Sequence, residues 1–300
     1  MCRIFVTLDT EMDSDIHWVK KYPPEYTSIT EGIVHLLRPI WNKYDVHPIY
    51  FVSPEVLYNE QCIQVLRAEI NKGAVIGAHL HPEYIEPDSA WGEEMDKVKP
   101  QFPCYDCSDA TEREKLKNLT DLIIQKLGVR PVWYRAARFG ADMVTIRTLK
   151  ELGYQFDSSV TPGINWMSKG GPDHSRGINV PYLISDDDMY HELSASEADD
   201  AVQEVPVTIY GKRWGILGRI LPDHWLFYQW LRPTHMTYWE MKNIIRKMVR
   251  EQKKIGVLMF HSMEIMINKT PYVRSRWMQK YYLWRLRKIL QCAVENGYGL

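Results

Sequence analysis

Seven short apolar runs alternate with longer amphipathic stretches along this 300-residue chain. No other feature limits its fold as strongly. The runs cover residues 3–9, 48–53, 74–79, 131–136, 154–160, 203–209 and 256–262, each short enough for one strand. Between them lie segments of helical period such as "SITEGIVHLLRPIWNKY", "SPEVLYNEQCIQVLRAEINKG", "DATEREKLKNLTDLIIQKLG" and "ADMVTIRTLKELG". Gly73, Gly128, Gly153 and Gly256 stand where such helices would end, as glycine caps. Strands alternating with helices imply an α/β class with a parallel sheet, closed as a barrel or open. No repeat, low-complexity tract or linker divides the chain, so residues 1–300 are expected to form a single domain. Residues 80–110 and 161–202 lack periodicity. Loops of that length inside a compact domain are expected to be lids or binding loops.

Composition narrows the partners. A formal charge of −1 gives no overall attraction to nucleic acid, and none is expected as a partner. No apolar stretch approaches the roughly 20 residues that span a bilayer. The opening "MCRIFVTLDTE" lacks the apolar core of a signal peptide. With five cysteines in a chain of this size, the expected location is cytoplasmic. Cys104 and Cys107 form one Cys-x-x-Cys without a second pair, and read as plain loop thiols. The 11 Trp and 18 Tyr suit carbohydrate faces as well as cores. "WLRPTHMTYWEMKNIIRKMVREQKKIG" reads as a basic amphipathic helix covering the barrel. "YVRSRWMQKYYLWRLRKILQ" reads as a packed final helix with a solvated basic face; the alternative is peripheral contact with a membrane surface.

The chemistry gathers at the ends of the apolar runs. Residues two apart in a strand point to one side. Asp9 and Glu11 therefore share a face at the end of the first run, as do His79 and His81 near the end of the third. Parallel β/α folds place active sites at these carboxyl ends. His-x-His with one carboxylate is a set for a catalytic divalent ion such as zinc, and the second carboxylate is then free as a general base. His261 ends the last run and is a candidate general acid. Arg135 and Arg138 follow the fourth run, where an arginine would hold a catalytic carboxylate ionised. Asp157, in the fifth run, is expected to orient an arginine.

In order, "FVTLDTE", "IGAHLHP", "YRAARFG", "FDSSVTP" and "LMFHS" resemble the five motifs of the NodB-homology polysaccharide deacetylases, carbohydrate esterase family four. The match spans about residues 3–262 and is most similar to a subgroup tied to surface polysaccharides and lipopolysaccharide. The resemblance implies a distorted seven-stranded (β/α) barrel that removes acetyl groups from N- or O-acetylated sugars with zinc or a related divalent ion. It assigns Asp9 as base, Glu11, His79 and His81 as metal ligands, Arg135 and Asp157 as orienting residues, and His261, three after Leu258, as acid. Thr10 separates the two acidic residues that are adjacent in the usual first motif. Glu83 stands where the second motif normally has a histidine. The resemblance leaves open a hydrolase of another C–N bond, such as a cyclic amide, or a sugar-binding protein without activity.

Overall fold

The computed structural model describes residues 2–93, 95–193, 201–212 and 225–300. It opens with β1 (Arg3–Thr10), a π-helical stretch (Ser28–Leu37) continuing into α1 (Arg38–Tyr44), and β2 (Ile49–Val52). A 3-10 turn (Pro54–Tyr58), α2 (Glu60–Ile70) and β3 (Val75–Leu80) follow. Then come α3 (Pro103–Asp106), α4 (Asp109–Leu127), β4 (Trp133–Ala136), α5 (Met143–Glu151), β5 (Phe156–Asp157), β6 (Tyr182–Leu183) and β7 (Gln203–Glu204). β8 (Ile209–Lys212), β9 (Tyr228–Trp230), α6 (Tyr238–Arg250), β10 (Ile255–His261) and α7 (Arg276–Glu295) complete the chain.

One eight-stranded sheet has the order β10-β1-β2-β3-β4-β5-β7-β6. Its first seven strands run parallel and fall in the seven apolar runs, while β6 pairs antiparallel with β7 at the edge. The sheet curls into a distorted barrel. Its seam is not a ladder: Thr208 N donates to Val257 O (3.4 Å), Val257 N donates to Thr208 Oγ1 (2.8 Å), and Met259 N donates to Leu231 O (3.3 Å). The run 203–209 shortens to a two-residue strand because Pro206 carries no N–H for pairing. Beyond it β8 and β9 pair antiparallel in a second, two-stranded sheet that the sequence did not suggest.

The alternation in β1 explains the layering. Ile4, Val6 and Leu8 are almost wholly buried and face the outer helices, whereas Phe5, Thr7 and Asp9 point into the barrel. The lumen is aromatic below, with Phe5 against Trp133 and Trp133 stacked on Phe156. It becomes charged towards the carboxyl ends of the strands.

Several local expectations shift. Residues 54–70 split into a 3-10 turn and a helix because the Asn59 side chain accepts from Cys62 N (3.0 Å) and starts α2 afresh. Gly256 is not a helix cap; it lies inside β10, and Gln252 takes the left-handed conformation after α6 (φ 55°). The basic segment near 230 is strand first and helix later. Pro233 intervenes, and α6 starts only at a capping box made by Thr237 and Glu240.

Candidate metal centre and active site

Asp9 and His261 lie side by side in the β1–β10 register, and His79 and Arg135 in the β3–β4 register. Strand pairing therefore brings together residues far apart in sequence at one end of the barrel. Glu11, just past β1, joins them because Asp13 anchors the chain beyond it. The Asp13 carboxylate accepts from Thr27 N (2.8 Å), Thr27 Oγ1 (2.6 Å) and Ser28 N (3.2 Å). Glu55 fixes the same segment by accepting from Met12 N (3.1 Å).

Glu11, His79 and His81 are all buried, with donor atoms within 4.8 Å of one another. His79 Nε2 and His81 Nε2 lie 3.2 and 3.3 Å from Glu11 Oε1. The other ring nitrogens are engaged: His79 Nδ1 donates to Arg135 O (2.7 Å), and His81 Nδ1 lies 3.2 Å from Glu83 Oε1. Those bonds turn both Nε2 atoms inward, and His81 Nε2 is buried without a hydrogen-bond partner. Two converging imidazole nitrogens and a carboxylate oxygen fit a divalent cation. Burial pushes the Glu11 carboxyl up, but Lys20 and His81 hold it well below the ordinary range. Burial also favours neutral His81, yet the Glu11 carboxylate overrides it and pushes the imidazole up to about 9.

Asp9 is held differently. Arg135 Nη1 donates to its Oδ1 (2.7 Å) and, with Nη2, to Thr7 Oγ1 (3.1 Å each). Burial raises the Asp9 carboxyl, but Arg135, His79 and His261 outweigh it and hold it below the ordinary range. The guanidinium carbon lies over the Phe51 ring, 4.2 Å from its centroid. Gly77 leaves room for that ring. Asp9 Oδ2 remains open to the cavity, 3.8 Å from His261 Nε2.

Asp157 departs from expectation. Tyr134, not Arg135, is its register partner, so Asp157 points to the outer side of the sheet. Ser158 faces inward instead, accepting from Arg135 through its carbonyl (3.0 Å) and its hydroxyl (2.9 Å). On the outer face Asp157 sits beside Glu204, both fully buried. Burial raises both carboxyls, and Glu204 rises further because Asp157 is next to it. Arg138 does reach the cavity rim, 4.0 Å from Glu83. Cys104 and Cys107 are free thiols raised by burial.

Three neighbours were not legible in the sequence. Lys20 Nζ lies 2.5 Å from Glu11 Oε2, reserving the other oxygen for the histidines. Glu264 accepts from Arg232 and Thr234 and lies 3.1 Å from His261 Nδ1. Lys20 and Arg232 come from aperiodic segments. Only Glu264 left a signal, the three-residue spacing after His261. The cavity holds about 340 Å³, and Trp18, Trp166, Phe139 and Tyr272 form part of its wall. The two long aperiodic segments contribute Phe102, Trp166 and Lys169 to it.

No protein-family model and no curated protein matches the chain. Solved structures do. A Pseudomonas aeruginosa protein described as a polysaccharide deacetylase aligns with a TM-score of 0.56 at 12% identity, covering 99% of this chain and 86% of its own. One from Mycobacterium smegmatis, with the same description, aligns at 0.53 and 16%, covering 100% and 87%. Puue allantoinase aligns at 0.56 and 11%, covering 99% and 86%. At such identities the likeness defines the fold: this chain has the fold of the polysaccharide deacetylases.

Proposed function

We propose that the chain is a metal-dependent hydrolase that removes acetyl groups from an N- or O-acetylated sugar of a surface polysaccharide or its precursor. One observation carries this reading. An Arg135-bound carboxylate, Asp9, and the histidine His261 stand together beside a Glu-His-His donor set, with His261 Nε2 3.8 Å from Asp9 Oδ2 and 3.7 Å from Glu11 Oε1. Glu11, His79 and His81 would hold the ion, zinc by the donor set, which when bound supplies Lewis acidity towards a carbonyl and towards water.

The chain's own groups do the rest. Asp9 is ionised, and Arg135 occupies Oδ1, so Oδ2 is the oxygen that takes a proton from the attacking water. His261 Nε2 faces the same space while its Nδ1 is held by Glu264, which directs Nε2 to donate a proton to the departing amine or alkoxide. The aromatic wall suits the apolar face of a sugar ring. Five free cysteines fit a reducing cytoplasm.

The likeness to an allantoinase supports a second reading, hydrolysis of a cyclic amide on the same scaffold. Chelation followed by zinc reloading, with acetate release assayed on a panel of acetylated sugars and ring opening on cyclic amides, separates the two. Metal-dependent acetate release supports deacetylation. Ring opening alone transfers the protein to the second reading. Neither activity with the ion fully bound leaves a sugar-binding protein.

A further inference from the structure

The last two helices carry a surface that the cavity does not explain. α7 buries Tyr282, Leu286, Ile289 and Leu290 against the barrel, as a packed final helix should. It also exposes large aromatics: Trp277 is 71% exposed and Trp284 41%, while Trp239 on α6 is 66% exposed. With Tyr238 and Tyr281 these rings form one continuous chain across both helices. Successive centroids from Trp239 to Tyr238, Trp284, Tyr281 and Trp277 are 5.0, 5.8, 5.7 and 5.5 Å apart.

Cations frame the chain of rings. Lys242 lies over Tyr238 and Trp239 (5.7 and 5.6 Å), and Arg285 lies over Tyr281 (4.7 Å). Arg274, Arg276, Lys280 and Arg287 are exposed around them. Between residues 265 and 294 the sequence holds seven Lys or Arg and no Asp or Glu. The face also adjoins the cavity. α7 is capped by Ser275, three residues after Tyr272 of the cavity wall, and α6 by Thr237, five after Arg232 of the same wall. The rings therefore lie on the first half of each helix, the half that follows these cavity-wall residues.

We propose that this face docks on an anionic lipid bilayer and holds the cavity mouth against the headgroups. Trp and Tyr partition to the water–lipid interface, and Lys and Arg beside them are attracted to acidic headgroups. Charge complementarity selects this occupant. A second copy of the chain, meeting face to face, would set like charges against each other. A sugar polymer needs open ring faces, yet Trp277, Tyr281 and Trp284 are stacked on one another (8° and 14° between planes). Docking is independent of the deacetylase reading, because the binding measurement needs no substrate.

The test is co-sedimentation of the purified protein with phosphatidylcholine vesicles, with and without phosphatidylglycerol, across a salt series. Binding is expected with the anionic vesicles, weakening as salt rises. Partition should fall about tenfold in Trp277→Ala and again in Trp239→Ala, the scale of one aromatic side chain withdrawn from an apolar phase. Unchanged circular dichroism and melting would show that these exposed substitutions leave the fold intact. No binding to anionic vesicles, or binding that neither substitution weakens, overturns the proposal. A dimer that Trp277→Ala dissolves would reassign the face to a second copy. Retention on a soluble anionic polysaccharide without vesicle binding would reassign it to that polymer.

Discussion

His261 Nδ1 lies 3.1 Å from Glu264 Oε1, three residues further along in the turn that follows β10. Burial pushes the Glu264 carboxyl up, but Arg232 and His261 hold it well below the ordinary range, so it stays ionised. Together with Arg232 Nη2, also 3.1 Å from Nδ1, it holds that nitrogen and leaves Nε2 to face the cavity. Glu264→Gln should retain the metal and lower kcat roughly 10- to 100-fold, the usual cost of losing an orienting partner. The loss should be smaller for activated esters, whose leaving groups need no proton. Equal losses on amide and activated ester would make Glu264 merely structural.

Gly77 makes room for the ring beneath Arg135. A Cβ there would come within 2.6 Å of Phe51 and 3.1 Å of the Trp133 carbonyl. Gly77→Ala should therefore displace Phe51 from the guanidinium, destabilise the fold by about 1–3 kcal/mol and reduce kcat. Denaturant melts and turnover on the same preparation check both effects. Unchanged values in both would remove Phe51 from the support of Arg135.

Asp157→Asn is expected to spare catalysis, because Asp157 faces away from Arg135. Its effect should fall on stability. Both carboxyls of the Asp157–Glu204 pair are raised, so their contribution is full at low pH and fades as pH rises through the raised pKa values. The amide removes one charge from the pair, and the variant should lose less stability than wild type on the alkaline side. Melting temperatures against pH, with kcat measured alongside, give the answer. A 100-fold fall in kcat with metal retained would restore Asp157 to the site.

Glu112 supplies a second pH signature. Burial pushes it up to about 7, against the hydrogen bond from Thr145, with Asp142 and Asp109 adding to the rise. A carboxyl raised in the folded state stabilises fully below its unfolded value and loses that contribution as pH rises through the folded one. Between pH of about 4.5 and 7 the loss is on the order of 3 kcal/mol. Glu112→Gln should flatten that part of the stability curve in denaturant melts. An unchanged slope would show that Glu112 is ionised in the fold.

The site was legible where strand period and chain position coincide. Asp9, His79, Arg135 and His261 each lie at or near the end of an apolar run, and neighbouring parallel strands set such ends side by side. Asp157 misled because "YQFDSSV" has no alternation from which to read its facing. Only the pairing with Tyr134 shows that Ser158, one residue on, points inward. Lys20 and Arg232 sit in irregular segments whose path is set by tertiary contacts, and no local pattern announces them. The barrel seam was hidden for a similar reason, since Thr208 closes it with two bonds to Val257 and Leu231 with one to Met259.

Asp9 as base and Glu11, His79 and His81 as ligands are roles that one experiment separates. Bound metal and acetate release are measured together on wild type and Asp9→Asn. Metal content should be equal in the two proteins, and acetate release from an N-acetylated sugar should be roughly 10²- to 10⁴-fold slower in the variant. Loss of the metal along with the activity would make Asp9 a ligand and contradict the assignment, as would undiminished release.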